Sequence, residues 1–286
     1  MNRLYLLLLI LILQIGGLFY VNQQHPTSRL RVEFLDIGQG DAILIETVNN
    51  KTILVDTGVD NRVVEKLNSH LQPLNNVIDY LVLTHSDSDH IGGLSGVLQN
   101  FEVKNIIYNF DFNLDNKTQK HDFDLIALEG SNISKVTAES DFNYDGCQIN
   151  FVWPSLAESF ANLSDNDSSI SMILSYNGFD VFLGGDISTA VENKIIPIIS
   201  PVEVMKLNHH GSNTGNSLDF IRALNPQLTV ISVGKNNSYH LPNSLVLERL
   251  GQLNIKILRT DNDGDITCEV VSEKDYNCSP SIFKTF

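Results

Sequence analysis

The chain has 286 residues, 42% of them hydrophobic, and its 19 basic residues stand against 34 acidic ones, giving a net charge of −15. This composition is not that of a disordered chain, and the length is enough for one large domain or two small ones. The acidic balance argues against a broad basic face for nucleic acid, because phosphate contacts need Lys and Arg, but it is compatible with bound metal cations.

The chain begins with a hydrophobic segment. Residues 4–21 are almost continuously apolar, broken only by Gln14, and Arg3 precedes them. This length lies between a signal-peptide core and a membrane span, and no small-x-small cleavage site stands out. We predict an uncleaved signal anchor over residues 1–22, which would tether an extracytoplasmic domain to the membrane. A cleaved signal peptide, and therefore a secreted or periplasmic domain, is the alternative.

The first half of the chain predicts a polar linker over residues 23–30, then antiparallel strands, then alternating strands and helices. Asn49-Asn50, between two apolar runs, indicates a hairpin. The predicted strands cover residues 31–35, 42–47, 52–55, 77–83 and 103–108, with a helix over 62–71, a loop over 111–122 and a short helix over 123–128.

The second half follows much the same plan, and Asn177-Gly178 gives the strongest hairpin signal. Strands with helices on their outer faces predict two packed sheets covered by helices, in one domain over residues 31–271. The predicted strands cover 147–153, 168–175, 179–183, 203–207, 228–233, 255–259 and 265–271, the helices 189–196, 218–224 and 245–250, and a polar tail 272–286.

Three cysteines are present and no CxxC pair occurs, which argues against a thiolate zinc site. Cys147 has the setting of a buried strand residue. Cys268 and Cys278 lie close together near the C-terminus. They form either a disulfide in an exported domain or two unpaired thiols, and the sequence does not separate these alternatives.

The stretch with the most chemistry is THSDSDHIGGL, residues 84–94, which follows an apolar strand. It brings His85, Asp87, Asp89 and His90 within six residues of one another. Imidazole and carboxylate ligands together suit zinc, manganese or iron. The competing interpretation is a solvated loop that caps a helix, since Asp and Ser are good N-caps.

Other strand ends decide between these interpretations. Asp56, Asp186, the pair His209-His210, and His240 each follow an apolar run, so each would lie at the rim of a sheet. One such acid alone is ordinarily a turn residue or a helix cap. Their coincidence with the H-x-D-x-D-H stretch favours one shared metal site.

These stretches together give a resemblance to a known family. The chain resembles the metallo-β-lactamase-fold hydrolases, and within them the C-terminal domain of ComEC-type DNA-uptake competence proteins. The resemblance implies an α/β (α+β) fold, an αββα sandwich of two mixed β-sheets flanked by helices. The stretches that carry it are FLDIGQGDAILIE (34–46), ILVDTG (53–58), LTHSDSDHIGGL (83–94), NDSS (166–169), FLGGDI (182–187), LNHHGS (207–212) and NSYHLP (237–242).

The resemblance also implies roles for single residues, with one or two divalent ions, zinc or manganese, as cofactors. His85 and Asp87 would bind a first metal, Asp89 and His90 a second, and Asp186 would bridge them. One of His209 and His210 would complete the second site, with His209 slightly favoured. Asp56 would accept a hydrogen bond from a ligand imidazole.

Two departures from the family pattern affect the first metal. Asp87 stands where the superfamily has histidine, and NDSS replaces the usual third-motif histidine, so Asp167 is the substitute we expect. An oxygen-rich first site suits manganese better than zinc. Asp186 stands where lactamases have cysteine, which points away from β-lactams and towards phosphodiesters.

The implied function is a metal-dependent phosphodiesterase or nuclease outside the cytoplasm that uses a metal-activated hydroxide, linked to DNA uptake or DNA degradation. Its partners would be a phosphodiester, such as single-stranded DNA, and the membrane through the N-terminal segment. Asp89 would orient the nucleophile, while Ser212 and His240 would bind phosphate, with His240 also a candidate acid for the leaving alkoxide. The alternatives are a hydrolase of a small phosphodiester, lactone or thioester, and a non-catalytic binding module with a vestigial metal site.

Overall fold

The structure is a computed structural model that describes residues 29–72, 75–158 and 163–281, together with positions 5, 8, 10–12 and 14. The predicted signal anchor therefore falls almost wholly outside the described residues, as does most of the predicted linker. Within the described part of the chain, no helix combines the length and the apolar character that crossing a membrane requires.

The first sheet has eight strands in the order β15-β14-β1-β2-β3-β4-β5-β6. The strands from β15 to β3 pair antiparallel, and those from β3 to β6 pair parallel. They are β1 (Leu30–Phe34), β2 (Ile43–Glu46), β3 (Thr52–Val55), β4 (Val77–Val82), β5 (Glu102–Ile107), β6 (Asn132–Ser134), β14 (Ile266–Ser272) and β15 (Asp275–Pro280).

The second sheet has seven strands in the order β13-β12-β11-β10-β9-β8-β7. The strands from β7 to β10 pair antiparallel, and those from β10 to β13 pair parallel. They are β7 (Phe142–Tyr144), β8 (Cys147–Trp153), β9 (Ser171–Tyr176), β10 (Phe179–Leu183), β11 (Val204–Lys206), β12 (Leu228–Ile231) and β13 (Lys256–Arg259).

Side-chain alternation along the strands explains why the two sheets stack. Val32 and Phe34 of β1 belong to a buried cluster shared with the second sheet, whereas Leu44 of β2 belongs to a separate cluster with the first sheet's helices. A third cluster joins the second sheet to its own helices. The helices are α1 (Arg62–His70), α2 (Ser88–Ile91), α3 (Leu94–Asn100), α4 (Lys117–Glu129), α5 (Thr189–Ile195), α6 (Leu218–Leu224), α7 (Ser244–Gln252) and α8 (Thr260–Asp263).

The predicted αββα sandwich of two mixed sheets is thereby confirmed. The differences lie at polar segments. The predicted tail contains β15, which pairs with β14 and is joined to it by the Cys268–Cys278 disulfide. The predicted loop at 111–122 is partly helix, because Asn116 caps α4 through the backbone N–H groups of Thr118 and Gln119. Strands β6 and β7 were not predicted, since each has three residues and little apolar patterning.

Candidate metal centre

The ligand candidates follow strands that end at the same edge of the sandwich. Asp56 follows β3 and His85 comes soon after β4, and these strands run parallel. Asp186 comes soon after β10, and His209 and His210 follow β11, which again runs parallel to it. Because the carboxyl ends of parallel neighbours meet at one edge, side chains far apart in the sequence come together there.

Asp186 lies in the middle of this group. It is buried, and its Oδ1 is 3.3 Å from Nε2 of His90. Its Oδ2 is 3.6 Å from Nε2 of His210 and 4.0 Å from Nε2 of His85. The structure therefore joins the H-x-D-x-D-H stretch to two distant strand ends in one cluster.

Asp56 holds two of the imidazoles in fixed orientations. Its Oδ2 accepts a hydrogen bond from Nδ1 of His90 at 2.8 Å and another from the Thr84 hydroxyl at 2.7 Å. Because that hydroxyl donates to Asp56, it accepts from Nδ1 of His85, at 3.0 Å. Asp56 itself has a positive φ of 60°, an uncommon conformation for a residue other than glycine.

The imidazole of His210 is also held through its Nδ1 atom. The orientations of the three imidazoles decide what the centre can bind. Nδ1 of His210 donates to the Ser232 carbonyl at 2.9 Å. Nε2 of His85, His90 and His210, and Oδ1 of Asp186, are buried without a hydrogen-bond partner among the described residues. With the proton on Nδ1, every group facing the centre is an acceptor, and a divalent cation satisfies such a set. The residues present therefore fit the metal that the sequence predicts.

Protons occupy the imidazoles when no cation compensates the carboxylates. Burial alone lowers the pKa of His90, but the charges of Asp186 and Asp56 raise it well above its usual value. Burial also lowers the pKa of His210, but the charges of Asp186 and Asp41 outweigh this and raise it to about 9. Burial raises the pKa of Asp89, yet its close contact with the His210 imidazole and the charge of His90 outweigh this and bring the pKa to about 2. Cation binding must therefore release protons, and it strengthens as the pH rises.

Asp41 and Lys206 lie beside the centre, and neither was predicted from the sequence as a site residue. Both are buried, and the Asp41 carboxylate forms an ion pair with the Lys206 ammonium group. Oδ1 of Asp41 is 3.4 Å from Nδ1 of His210, and its backbone N–H donates to the Asp89 carbonyl at 3.2 Å. The only sequence signal was their position, Asp41 in the turn before β2 and Lys206 just ahead of the histidine pair.

Three of the candidates lie at the mouth of the centre. Oδ2 of Asp87 is 3.7 Å from Nε2 of His85, and 41% of the Asp87 side chain is exposed. Asp89 is 26% exposed, with its Oδ2 3.2 Å from Nε2 of His210. His209 is 28% exposed, and its Nε2 is 3.7 Å from Asp186. The geometry therefore favours His210 as the buried ligand, whereas the sequence slightly favoured His209.

Other predicted residues are not brought into the cluster. Oδ1 of Asp167 accepts from the Ser188 backbone N–H at 2.9 Å, at the start of α5. The Ser212 hydroxyl lies 2.9 Å from that of Thr214. His240 is exposed and does not line the cavity at the centre. The proposed roles of these three residues stay predictions that the geometry does not favour.

The NDSS stretch also forms hydrogen bonds with residues of the centre. The Ser169 hydroxyl accepts from the Asp186 backbone N–H at 3.0 Å. The side-chain amide of Asn166 lies 3.4 Å from Nδ1 of His209. The stretch therefore contacts the residues of the centre from outside, and the role of Asp167 as a ligand stays a prediction.

Comparison with known sequences gives two results. Residues 35–123 match the profile of the metallo-beta-lactamase superfamily. The competence protein ComA of Neisseria gonorrhoeae is 31% identical over 258 residues, which is 87% of this chain and 33% of that protein. The ComE operon protein 3 of Bacillus subtilis is 29% identical over 259 residues, 84% of this chain and 33% of that protein. The chain thus spans about a third of the length of these relatives.

Comparison with solved structures supports the same fold. CmlA, a diiron β-hydroxylase from Streptomyces venezuelae, superposes with a TM-score of 0.58 at 15% identity, covering 86% of this chain and 55% of that one. The metallo-beta-lactamase fold protein YhfI of Bacillus subtilis gives a TM-score of 0.57 at 12% identity, covering 85% of this chain and 100% of that one. At these identities the likeness concerns the fold alone.

Proposed function

Because the chain carries a metallo-beta-lactamase superfamily domain and resembles ComEC-type competence proteins, we propose that it is a metal-dependent phosphodiesterase that cleaves nucleic acid outside the cytoplasm. The observation that carries this proposal is the acceptor-only centre, in which three imidazole Nε2 atoms and a buried carboxylate face one another without hydrogen bonds. Such a centre is costly to bury unless cations bind there.

The centre has the residues to hold two cations. His85, Asp87 and Asp186 would hold the first, and Asp89, His90 and His210 would hold the second together with Asp186. When bound, divalent cations at such a site lower the pKa of water and neutralise the charge of a phosphate group. Five carboxylates lie here beside one ammonium group and the imidazoles of His90 and His210, so bound cations would supply the positive charge that an anionic substrate needs.

Residues of the chain itself would then position the reactants. Asp89 is ionised at neutral pH, since its pKa is about 2, and its partly exposed carboxylate can accept a hydrogen bond from the attacking water. Burial lowers the pKa of His209, so its imidazole is neutral and can donate a hydrogen bond to a phosphate oxygen at the mouth. These two side chains would orient the attacking water and the phosphate group, and such positioning is a large part of phosphoryl-transfer catalysis.

Two further observations bear on substrate and location. The ligand set contains no cysteine, and its carboxylates match hard cations of the kind that bind phosphate oxygens. The Cys268–Cys278 disulfide supports a location in an oxidising compartment, because such bonds are rare in the cytosol. A hydrolase of a small lactone or thioester in the same compartment is the competing function.

The test is metal analysis of the full chain combined with hydrolysis of single-stranded DNA and of bis(4-nitrophenyl) phosphate. We expect one or two bound divalent ions and cleavage of both substrates. His85→Ala and Asp186→Ala should lose metal and lower the rate at least a hundredfold, because each removes a ligand of a buried centre. His121→Ala, which changes an exposed histidine of α4, is the matched control and should leave both unchanged.

Circular dichroism of each variant shows whether it keeps its fold, so that a loss of metal is not confused with a loss of fold. Full activity in Asp186→Ala would contradict the assignment of the centre. Hydrolysis of a lactone or thioester with no cleavage of either phosphodiester would favour the competing function. A chain that holds no metal after supplementation with zinc and manganese would instead support a binding module.

A further inference from the structure

The cavity at the metal centre is narrow. Its volume is about 110 Å³, and its lining includes the carboxylates of Asp87, Asp89 and Asp186. A phosphate group held by the residues of this small cavity would leave the groups attached to it at the rim.

The rim carries an exposed aromatic side chain. Tyr239 lines the cavity together with Gln39 and Leu241, yet 69% of its surface is open to solvent. Among the described residues that line this cavity, it is the one Phe, Tyr or Trp, and it is far more exposed than the partly exposed imidazole of His209. An exposed ring beside a phosphate-sized cavity is in reach of a planar group attached to that phosphate.

The loop that carries Tyr239 is held in shape by one side chain. The amide group of Asn237 donates to the carbonyls of Gly234 at 3.0 Å and Leu241 at 2.8 Å, and its oxygen accepts from the Leu241 backbone N–H at 3.0 Å. The Gly234 backbone N–H also donates to the Gln39 side chain at 3.2 Å. The ring is therefore presented by a pre-formed loop, which lowers the entropic cost of using it for binding.

The charges around the cavity favour such a contact for a nucleic-acid substrate. The lining residues include three carboxylates and no Lys or Arg, and the whole chain has a net charge of −15. Contacts to the phosphates that flank the cleaved one are therefore weak. Stacking of bases on aromatic side chains is the other general source of affinity for single strands.

We propose that Tyr239 is a stacking platform for the nucleobase next to the scissile phosphate of a single-stranded nucleic acid. This inference rests on the proposed phosphodiesterase function and names its substrate class. In a duplex each base is already stacked on its neighbours, so the platform selects unpaired strands. Tyr239 sets specificity through binding and takes no part in proton transfer.

The experiment is a cycle between protein and substrate. Oligonucleotides with a normal base or an abasic residue beside the cleaved linkage are compared in the wild-type chain, Tyr239→Ala and Tyr239→Phe. For the normal strand we expect Tyr239→Ala to raise KM about tenfold with little change in kcat, and Tyr239→Phe to behave as wild type. For the abasic strand, the three proteins should have the same KM.

A binding measurement accompanies the kinetics. Fluorescence anisotropy of labelled strands with phosphorothioate linkages, which slow cleavage, should show the same tenfold loss of affinity in Tyr239→Ala only when the base is present. An equal KM for wild type and Tyr239→Ala on the normal strand would overturn the inference while leaving the phosphodiesterase proposal intact. Absence of cleavage of any strand by the wild-type chain would overturn the phosphodiesterase proposal itself.

Discussion

Among the described residues, the His70 cluster and the metal centre both combine histidine with carboxylate, and they differ in what their imidazoles face. In the His70 cluster, Nδ1 of His70 is 3.0 Å from Glu33 and Nε2 is 3.0 Å from Asp265, so each ring nitrogen has its own carboxylate. In the metal centre, three imidazoles bond to the scaffold through Nδ1 and turn Nε2 towards a shared space. The two clusters contain the same types of residue. They differ in whether both ring nitrogens of each histidine face a partner or one of them faces a shared space.

The two clusters also differ in their balance of negative and positive charge. In the His70 cluster three carboxylates meet three cations: Glu33, Glu46 and Asp265 with His70, Lys66 and Arg31. Although burial lowers it, hydrogen bonds to Asp265 and Glu33 raise the pKa of His70 to about 9, so this histidine is charged at neutral pH. In the metal centre five carboxylates meet one ammonium group and the imidazoles of His90 and His210, whose pKa values are raised against the effect of burial, so negative charge remains in excess. The first cluster is balanced by its own side chains, and the second requires added cations.

The largest expected effect comes from Lys206→Met, which removes the one ammonium group of the metal centre. It leaves Asp41 buried without its partner, and we expect a loss of about 4 kcal/mol in the free energy of unfolding in chelator. Because the freed carboxylate adds negative charge beside the centre, metal should stabilise this variant more than it stabilises the wild type. Urea unfolding in chelator and in excess zinc or manganese measures both effects.

The double variant Asp41→Asn/Lys206→Met is the control for Lys206→Met. It removes both charges, so it should recover much of the stability lost by the single variant, because no unpaired carboxylate is left buried. If metal stabilised the wild type and Lys206→Met equally, the charge of Asp41 would have no effect on the metal centre, which would contradict the contrast drawn between the two clusters.

A smaller effect is expected from His70→Gln, which removes the charged imidazole of the balanced cluster. At neutral pH the variant should lose about 3 kcal/mol, because Glu33 and Asp265 lose a cationic partner. The pKa of His70 is raised from 6.5 to about 9 in the folded state. Its contribution is therefore complete below about pH 6.5 and disappears as the pH rises through about 9.

Urea unfolding of both proteins between pH 6 and pH 10 checks this dependence. The difference in unfolding free energy between wild type and His70→Gln should be largest near pH 6 and small at pH 10. Metal content should be equal in the two proteins, because no residue of the His70 cluster is a candidate metal ligand. A difference that stays constant with pH, or a loss of metal in the variant, would remove the distinction between the two clusters.

The extent to which the sequence predicts this molecule depends on distance along the chain. His85, Asp87, Asp89 and His90 were recognisable because six residues and one preceding strand bring them together, and Asp186 because it follows a strand end. The His70 cluster gave no signal, since its partner Asp265 lies 195 positions away. Only the closed sandwich brings such pairs into contact, and no local pattern encodes them.

The smallest effect is expected at Asp167. Asp167 was predicted as a metal ligand from its place in the family pattern, but its Oδ1 accepts from the Ser188 backbone N–H at 2.9 Å. Asp167→Ala should therefore cost about 1 kcal/mol of stability through an unpaired N–H, with metal content unchanged. Asp167→Asn keeps a side-chain oxygen acceptor and should be close to wild type. If Asp167 were a ligand instead, both substitutions would weaken metal binding at the first position, and metal titration of the two variants separates these outcomes.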